Sequence, residues 1–172
     1  MDKTLKQSLQ IFATKARMGV LEGVYNAKAG HPGGSVSICD VLSYLYNVEM
    51  HVDPKNPKDP GRDRLVLSKG HAAPALYATL ALKGYFPVED LKTLRKSDSY
   101  LQGHPNMDKV PGIDMSTGSL GQGISVAVGM ALGGKLDKAD YRVYAILGDG
   151  EIEEGQVWEA AMLAGNKGLD NL

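Results

Sequence analysis

The sequence carries a single cysteine, Cys39, in 172 residues, so no disulfide can form within the chain. That usage suits a reducing compartment. A basic excess is also lacking: 19 Lys and Arg stand against 20 Asp and Glu, for a formal net charge of −1. Without a basic face or run, a nucleic-acid partner is not expected. No apolar stretch approaches the roughly 18 residues that a membrane span needs. The start, Met1-Asp2-Lys3-Thr4-Leu5-Lys6-Gln7, lacks the apolar core of a secretory signal. Together these absences predict a cytoplasmic chain with neither nucleic-acid nor membrane partners. Hydrophobic residues at 43% and charged residues at 23% exclude whole-chain disorder. The length suits one domain over residues 1–172, under a prior of roughly 100–200 residues per domain.

What the sequence has in excess is glycine. There are 21, about 12% against a usual ~7%. They gather at Gly30-His31-Pro32-Gly33-Gly34, Gly118-Ser119-Leu120-Gly121-Gln122-Gly123 and Gly148-Asp149-Gly150. Such clusters mark places where the backbone turns sharply or approaches something closely.

Periodicity orders the rest. Leu5, Leu9, Phe12, Ala16, Val20 and Val24 predict a helix over 2–29 that stops at Gly30. Ser35 is placed to cap a second helix burying Ile38, Val41, Leu42 and Leu45. Residues 64–68 form a short apolar run that reads as a buried strand, and 72–83 and 88–95 read as helices. A polar loop is expected over 97–117, then a small-residue helix over 122–132. Residues 141–147 are the clearest strand, followed by a helix over 153–165 that Gly168 closes. Leu169-Asp170-Asn171-Leu172 then reads as the start of a return strand, so the chain is expected to be cut short with its sheet incomplete. Strands alternating with helices predict an α/β fold with a parallel sheet flanked by helices.

Gly148-Asp149-Gly150 falls at the carboxyl end of a strand, where open α/β sheets bind ligands. Its glycines would let backbone approach a phosphate, and Asp149 would supply an oxygen ligand to a divalent cation. A plain strand-to-helix turn capped by Asp149 fits the same residues. Glu151, Glu153 and Glu154 suit the first turn of a helix without any function. An EF-hand reading of Asp149, Glu151 and Glu153 fails, with Glu154 where Gly is needed and Ala160 where Glu is needed. A P-loop reading of 129–135 fails at Leu136, which replaces the required Ser or Thr.

Three of the four histidines, His31, His71 and His104, directly follow glycine, as expected of imidazoles aimed at a ligand from fixed loops. Exposed loop residues without a role would look the same, and His51 reads as solvated. The segment 117–123 would bring backbone against a flat cofactor ring or against another backbone; plain helix packing fits the same residues. Tyr44, Tyr46, Met50 and Trp158 fall at helical positions and read as core or interface.

Five ordered motifs then matter together: Gly30-His31-Pro32-Gly33, Arg62-Asp63-Arg64 through Ser68-Lys69-Gly70-His71, Gly103-His104-Pro105, Thr117 to Gly123, and Gly148-Asp149-Gly150 with Glu154-Gly155. In this order they resemble the thiamine-diphosphate-binding, N-terminal part of transketolase, above all the N-terminal subunit of the bacterial two-gene form. The resemblance implies that Asp149 ligates a divalent metal (Mg²⁺ or Ca²⁺) and that Gly150 meets the cofactor diphosphate through its backbone. It implies that Gly118, Ser119 and Leu120 line the cofactor and that His71 reaches its diphosphate. His31 and His104 would face the donor sugar and aid proton transfer, and Glu154 would lie at a subunit contact. The implied activity moves a two-carbon ketol unit from a ketose phosphate to an aldose phosphate, with the cofactor as electron sink.

The resemblance also implies a partner. In the family an Asn pair beyond the next strand supplies a metal ligand, and neither Asn166 nor Asn171 stands there. The site for the cofactor's aminopyrimidine ring belongs to a C-terminal subunit. The chain is therefore expected to self-associate as a dimer, to need that subunit, and to be inactive alone. Other readings are a dihydroxyacetone synthase, a deoxyxylulose-phosphate synthase, or a catalytically empty assembly module. The Gly-His-Pro-Gly-Gly and Ser-Lys-Gly-His segments favour transketolase over the second of these.

Overall fold

The computed structural model describes residues 2–172. Helix α1 (Lys3–Ala27) buries a stripe of small residues, Ala13, Ala16, Gly19, Val20 and Gly23. It ends two residues earlier than the sequence predicts, because Lys28 takes the left-handed cap conformation at φ 52° and Gly30 is not needed as the stop. The expected second helix is broken into α2 (Pro32–Val36) and α3 (Cys39–Tyr44), the latter running into a π-helical turn over Leu45–Glu49. Ser35 is not its cap. His31 is the N-cap, Pro32 opens the helix, and the Ser35 hydroxyl instead donates back to the His31 carbonyl. Of the four apolar residues assigned to that helix, Ile38 and Leu42 are buried, whereas Val41 is exposed.

Strand β1 (Arg64–Leu67) leads through Ser68 into α4 (Ala73–Lys83), which is apolar almost all round. Residues Ala73 to Ala81 are all buried, as expected of a helix enclosed on every side. Helix α1 packs directly on it: a Cβ at Gly19 would lie 3.0 Å from that of Ala78. The predicted helix over 88–95 is a 3₁₀ segment, Val88–Thr93. The loop read as polar contributes three residues to the core, Leu101, Val110 and Ile113.

Helix α5 (Gly123–Asp137) runs past the expected stop. Gly134 does not end it; a Cβ there would lie 2.9 Å from the Tyr141 ring, so the glycine admits that ring. Strand β2 (Val143–Ile146) pairs with β1 in parallel, Arg64 opposite Val143 and Leu67 opposite Ile146. Side chains alternate across this small sheet. Leu65 and Leu67 face the α1–α4 core, and Val66 and Val143 face a second core with α5 and α6 (Gly155–Asn166). The anticipated return strand is a turn joined to β2 by one backbone bond, Val143 N–H to the Asn171 carbonyl at 2.8 Å. Among the described residues, no helix is long and apolar enough to cross a membrane.

Candidate functional site

Because β1 and β2 are parallel and in register, the segments that leave them emerge at the same edge. Ser68-Lys69-Gly70-His71 follows β1, and Gly148-Asp149-Gly150 follows β2. The two stay tied where they part, with the Ser68 N–H donating to the Ile146 carbonyl at 2.9 Å. Segment 117–123 threads between them. Thr117 Oγ1 donates to the Leu67 carbonyl at 2.7 Å, and a Cβ at Gly70 would lie 2.7 Å from the Gly118 nitrogen. Of the two uses expected for this glycine-rich segment, packing of backbone on backbone is therefore realised directly.

A cavity of about 630 Å³ opens between these segments and the start of α2. On its wall the structure places His71, Leu120, Asp149 and Gly150 from the sequence-predicted set, and adds Lys69 and Glu151. The N–H groups of Asp149 and Gly150 donate to no acceptor among the described residues. Lys69 is only 6% exposed; its Nζ reaches the Gly34 carbonyl at 3.0 Å and the Ser37 hydroxyl at 3.3 Å. Sequence reasoning assigns Lys69 no role, although it stands directly before Gly70-His71.

His31, Gly118, Ser119, His104 and Glu154 lie outside that cavity's wall. The His31 ring meets the His71 ring edge-on at 5.1 Å between centroids, so His31 borders the cavity. Gly118, Ser119 and His104 line an adjoining cleft of about 340 Å³. Gly118 has φ +155°, and a Cβ on it would come within 3.0 Å of the His104 ring. Glu154 is exposed at the N-cap position of α6, without a capping hydrogen bond, beside Gly121, where an added Cβ would lie 2.9 Å from the Glu154 Cβ.

The electrostatics bias two imidazoles toward the neutral form. Burial lowers the His71 pKa, and the neighbouring His31 and Lys69 push it the same way. Burial also lowers that of His104, helped by Arg95 and His31. Both rings can therefore donate through one nitrogen and accept through the other. The Asp149 carboxylate stands at the cavity, and Glu151, the other acid on its wall, is buried. Among the described residues, no cluster of three His, Cys, Asp or Glu side chains could hold a metal ion. The donor set thus fits an anionic group met by Lys69, His71 and two backbone N–H groups. A divalent cation would share Asp149 with that anion's oxygens, as Mg²⁺ does with diphosphates.

Of the remaining candidates, Tyr46 and Met50 are buried core residues, while Tyr44 and Trp158 are exposed. His51 is solvated as expected, its side chain 93% exposed.

Comparison with known proteins points to one family. The family described as "Transketolase, thiamine diphosphate binding domain" matches residues 9–172. A 6-deoxy-6-sulfo-D-fructose transketolase subunit from Clostridium sp. (strain MSTE9) is 56% identical over 164 residues, covering 95% of this chain and 60% of that protein. An apulose-4-phosphate transketolase subunit from Phocaeicola vulgatus is 49% identical, covering 96% of this chain and 59% of its own length. The crystal structure of transketolase from Campylobacter jejuni superposes with a TM-score of 0.91 at 38% identity, over all of this chain and 28% of that one. The chain thus spans about three-fifths of the length of the two subunits and little more than a quarter of the whole transketolase. By sequence and by fold, the chain belongs to the transketolase N-terminal, thiamine-diphosphate-binding family.

Proposed function

We propose that this chain holds the diphosphate of thiamine diphosphate together with Mg²⁺ or Ca²⁺ on Asp149. In this reading it is the N-terminal part of a transketolase, moving a two-carbon ketol unit from a ketose phosphate to an aldose phosphate. The observation that carries the reading is the convergence of Lys69, His71, the free N–H groups of Asp149 and Gly150, and the Asp149 carboxylate on one cavity. Donors beside an exposed carboxylate are what a diphosphate–metal pair requires.

When bound, the cofactor supplies the electron sink for carbon–carbon cleavage. The chain's own residues bind and orient. Lys69 and His71 neutralise the diphosphate, while Gly118, Ser119 and Leu120 line the cofactor. His31 and His104 face the donor sugar; a neutral His104 accepts a proton from a sugar hydroxyl and returns it in the reverse step. Glu154, exposed at the head of α6, lies at a contact between two copies of the chain.

A C-terminal subunit completes the site, and the assembly is a dimer in the cytoplasm. The subunit names of the two relatives, each only partly covered, support a separate partner, and the unpaired Cys39 suits a reducing compartment. Those relatives are named for a sulfo sugar and a sugar phosphate, which supports a donor with an anionic end. Product analysis of the chain reconstituted with its partner tests the reading. Two-carbon transfer that disappears in Asp149→Asn supports it. Transfer unaffected by Asp149→Asn, or a reconstituted pair that never transfers, defeats it, the latter favouring the assembly module.

A further inference from the structure

Glu151 resembles its neighbours Glu153 and Glu154 in sequence and differs from them completely in place. It is 1% exposed, whereas they face solvent. A carboxylate withdrawn from water persists only where its oxygens are hydrogen-bonded. Three donors meet this one. Oε1 accepts from the Ser68 hydroxyl and from the Gly121 N–H at 2.9 Å, and Oε2 accepts from the Gly148 N–H at 2.9 Å.

Each donor belongs to a different segment of the site. Ser68 follows β1 and precedes Lys69 and His71. Gly121 follows Ser119 and Leu120, and Gly148 precedes Asp149. The amides of Gly121 and Gly148 therefore point inward at Glu151, while those of Asp149 and Gly150 are left free. We propose that Glu151 is a positioning residue, a pin whose carboxylate fixes these three segments to one another and thereby aims Asp149 at the cavity before any cofactor arrives. The consequence for cofactor affinity rests on the function proposed above; the pin itself does not.

An amide cannot replace this carboxylate. In Glu151→Gln one oxygen becomes an NH₂ group, which leaves either the Gly148 or the Gly121 N–H facing a donor. Amide hydrogen exchange on the ligand-free chain is the test. In the wild type, Gly121 and Gly148 are expected to exchange at least about 100-fold more slowly than Asp149 and Gly150. In Glu151→Gln at least one of the two protected amides accelerates about 10-fold or more, while those of α4 stay unchanged.

Equal exchange at Gly148 and Asp149 in the wild type overturns the pin, and that comparison needs no variant to fold. Unchanged exchange at both glycines in Glu151→Gln overturns it as well. Thiamine diphosphate titrated with Mg²⁺ is expected to bind Glu151→Gln about 10- to 100-fold more weakly, the usual effect of losing a residue that orients a metal ligand. A wild-type chain that binds no cofactor even with its partner would defeat the proposed function, and exchange would still decide the pin.

Discussion

The Tyr77 hydroxyl lies 2.9 Å from the His104 carbonyl and 2.9 Å from that of Gln102, so a residue from the buried part of helix α4 holds the loop that carries His104. Burial raises the Tyr77 pKa, which keeps the phenol protonated and donating. Tyr77→Phe removes the donor and leaves two carbonyls short of a partner. The expected cost is about 1–2 kcal/mol of stability. Turnover of the reconstituted enzyme should fall while thiamine diphosphate affinity stays near the wild-type value, because Tyr77 touches the His104 loop and not the diphosphate cavity. Thermal unfolding and steady-state kinetics check the two halves.

Close backbone approach makes a second, contrasting pair of expectations. At Gly70 an added Cβ would meet the Gly118 nitrogen and the Thr117 carbonyl carbon, both at 2.7 Å. These are backbone atoms with no rotamer to escape into, so Gly70→Ala is expected to destabilise by about 1–3 kcal/mol and to weaken cofactor binding. Gly129, in α5, would have nothing within 4 Å of an added Cβ. Gly129→Ala should therefore stabilise, by about 0.5–1 kcal/mol from helix propensity alone. Denaturant unfolding of both variants checks the contrast.

The same residues separate what is legible in the sequence from what is not. The periodic apolar residues of α1 and the unbroken run of β2 declare themselves, because one repeat dominates each. Ordered glycine motifs declare where the candidate site falls, since parallel strands deliver their carboxyl ends to one edge. The continuation of α5 through Gly134 is hidden, because nothing local reveals that the Tyr141 ring rests against that glycine. Ser35 looks like a cap because its type suits one, and Pro32 opening α2 competes for the same helix start. Leu101, Val110 and Ile113 sit in a loop without periodicity, so their burial follows from tertiary packing alone. Glu151 reads as helix-dipole charge; only its meeting with two distant segments, at Ser68 and Gly121, points to a positioning role.

The pH dependence follows from the histidines. His71 and His104 have lowered pKa values in the fold, so above the ordinary histidine value of about 6.5 they are neutral in both folded and unfolded chains. Below it the unfolded chain takes up protons that the folded chain resists, and stability falls as pH drops through this range. A bound diphosphate reverses the preference at His71 by favouring its charged form. Cofactor binding at pH 7 should therefore be accompanied by proton uptake, read as a buffer-dependent calorimetric enthalpy. The uptake should shrink in His71→Gln.

The most direct test of the account is calorimetric titration of thiamine diphosphate with Mg²⁺ into the chain together with its partner subunit, repeated with Lys69→Met and Asp149→Asn. The account predicts saturable binding by the wild type, binding weakened at least about 10-fold in Lys69→Met through loss of a charge-assisted bond, and loss of the Mg²⁺ dependence in Asp149→Asn. Binding of equal strength in all three proteins would contradict it, because the cavity at the ends of β1 and β2 would then not be where the diphosphate is held.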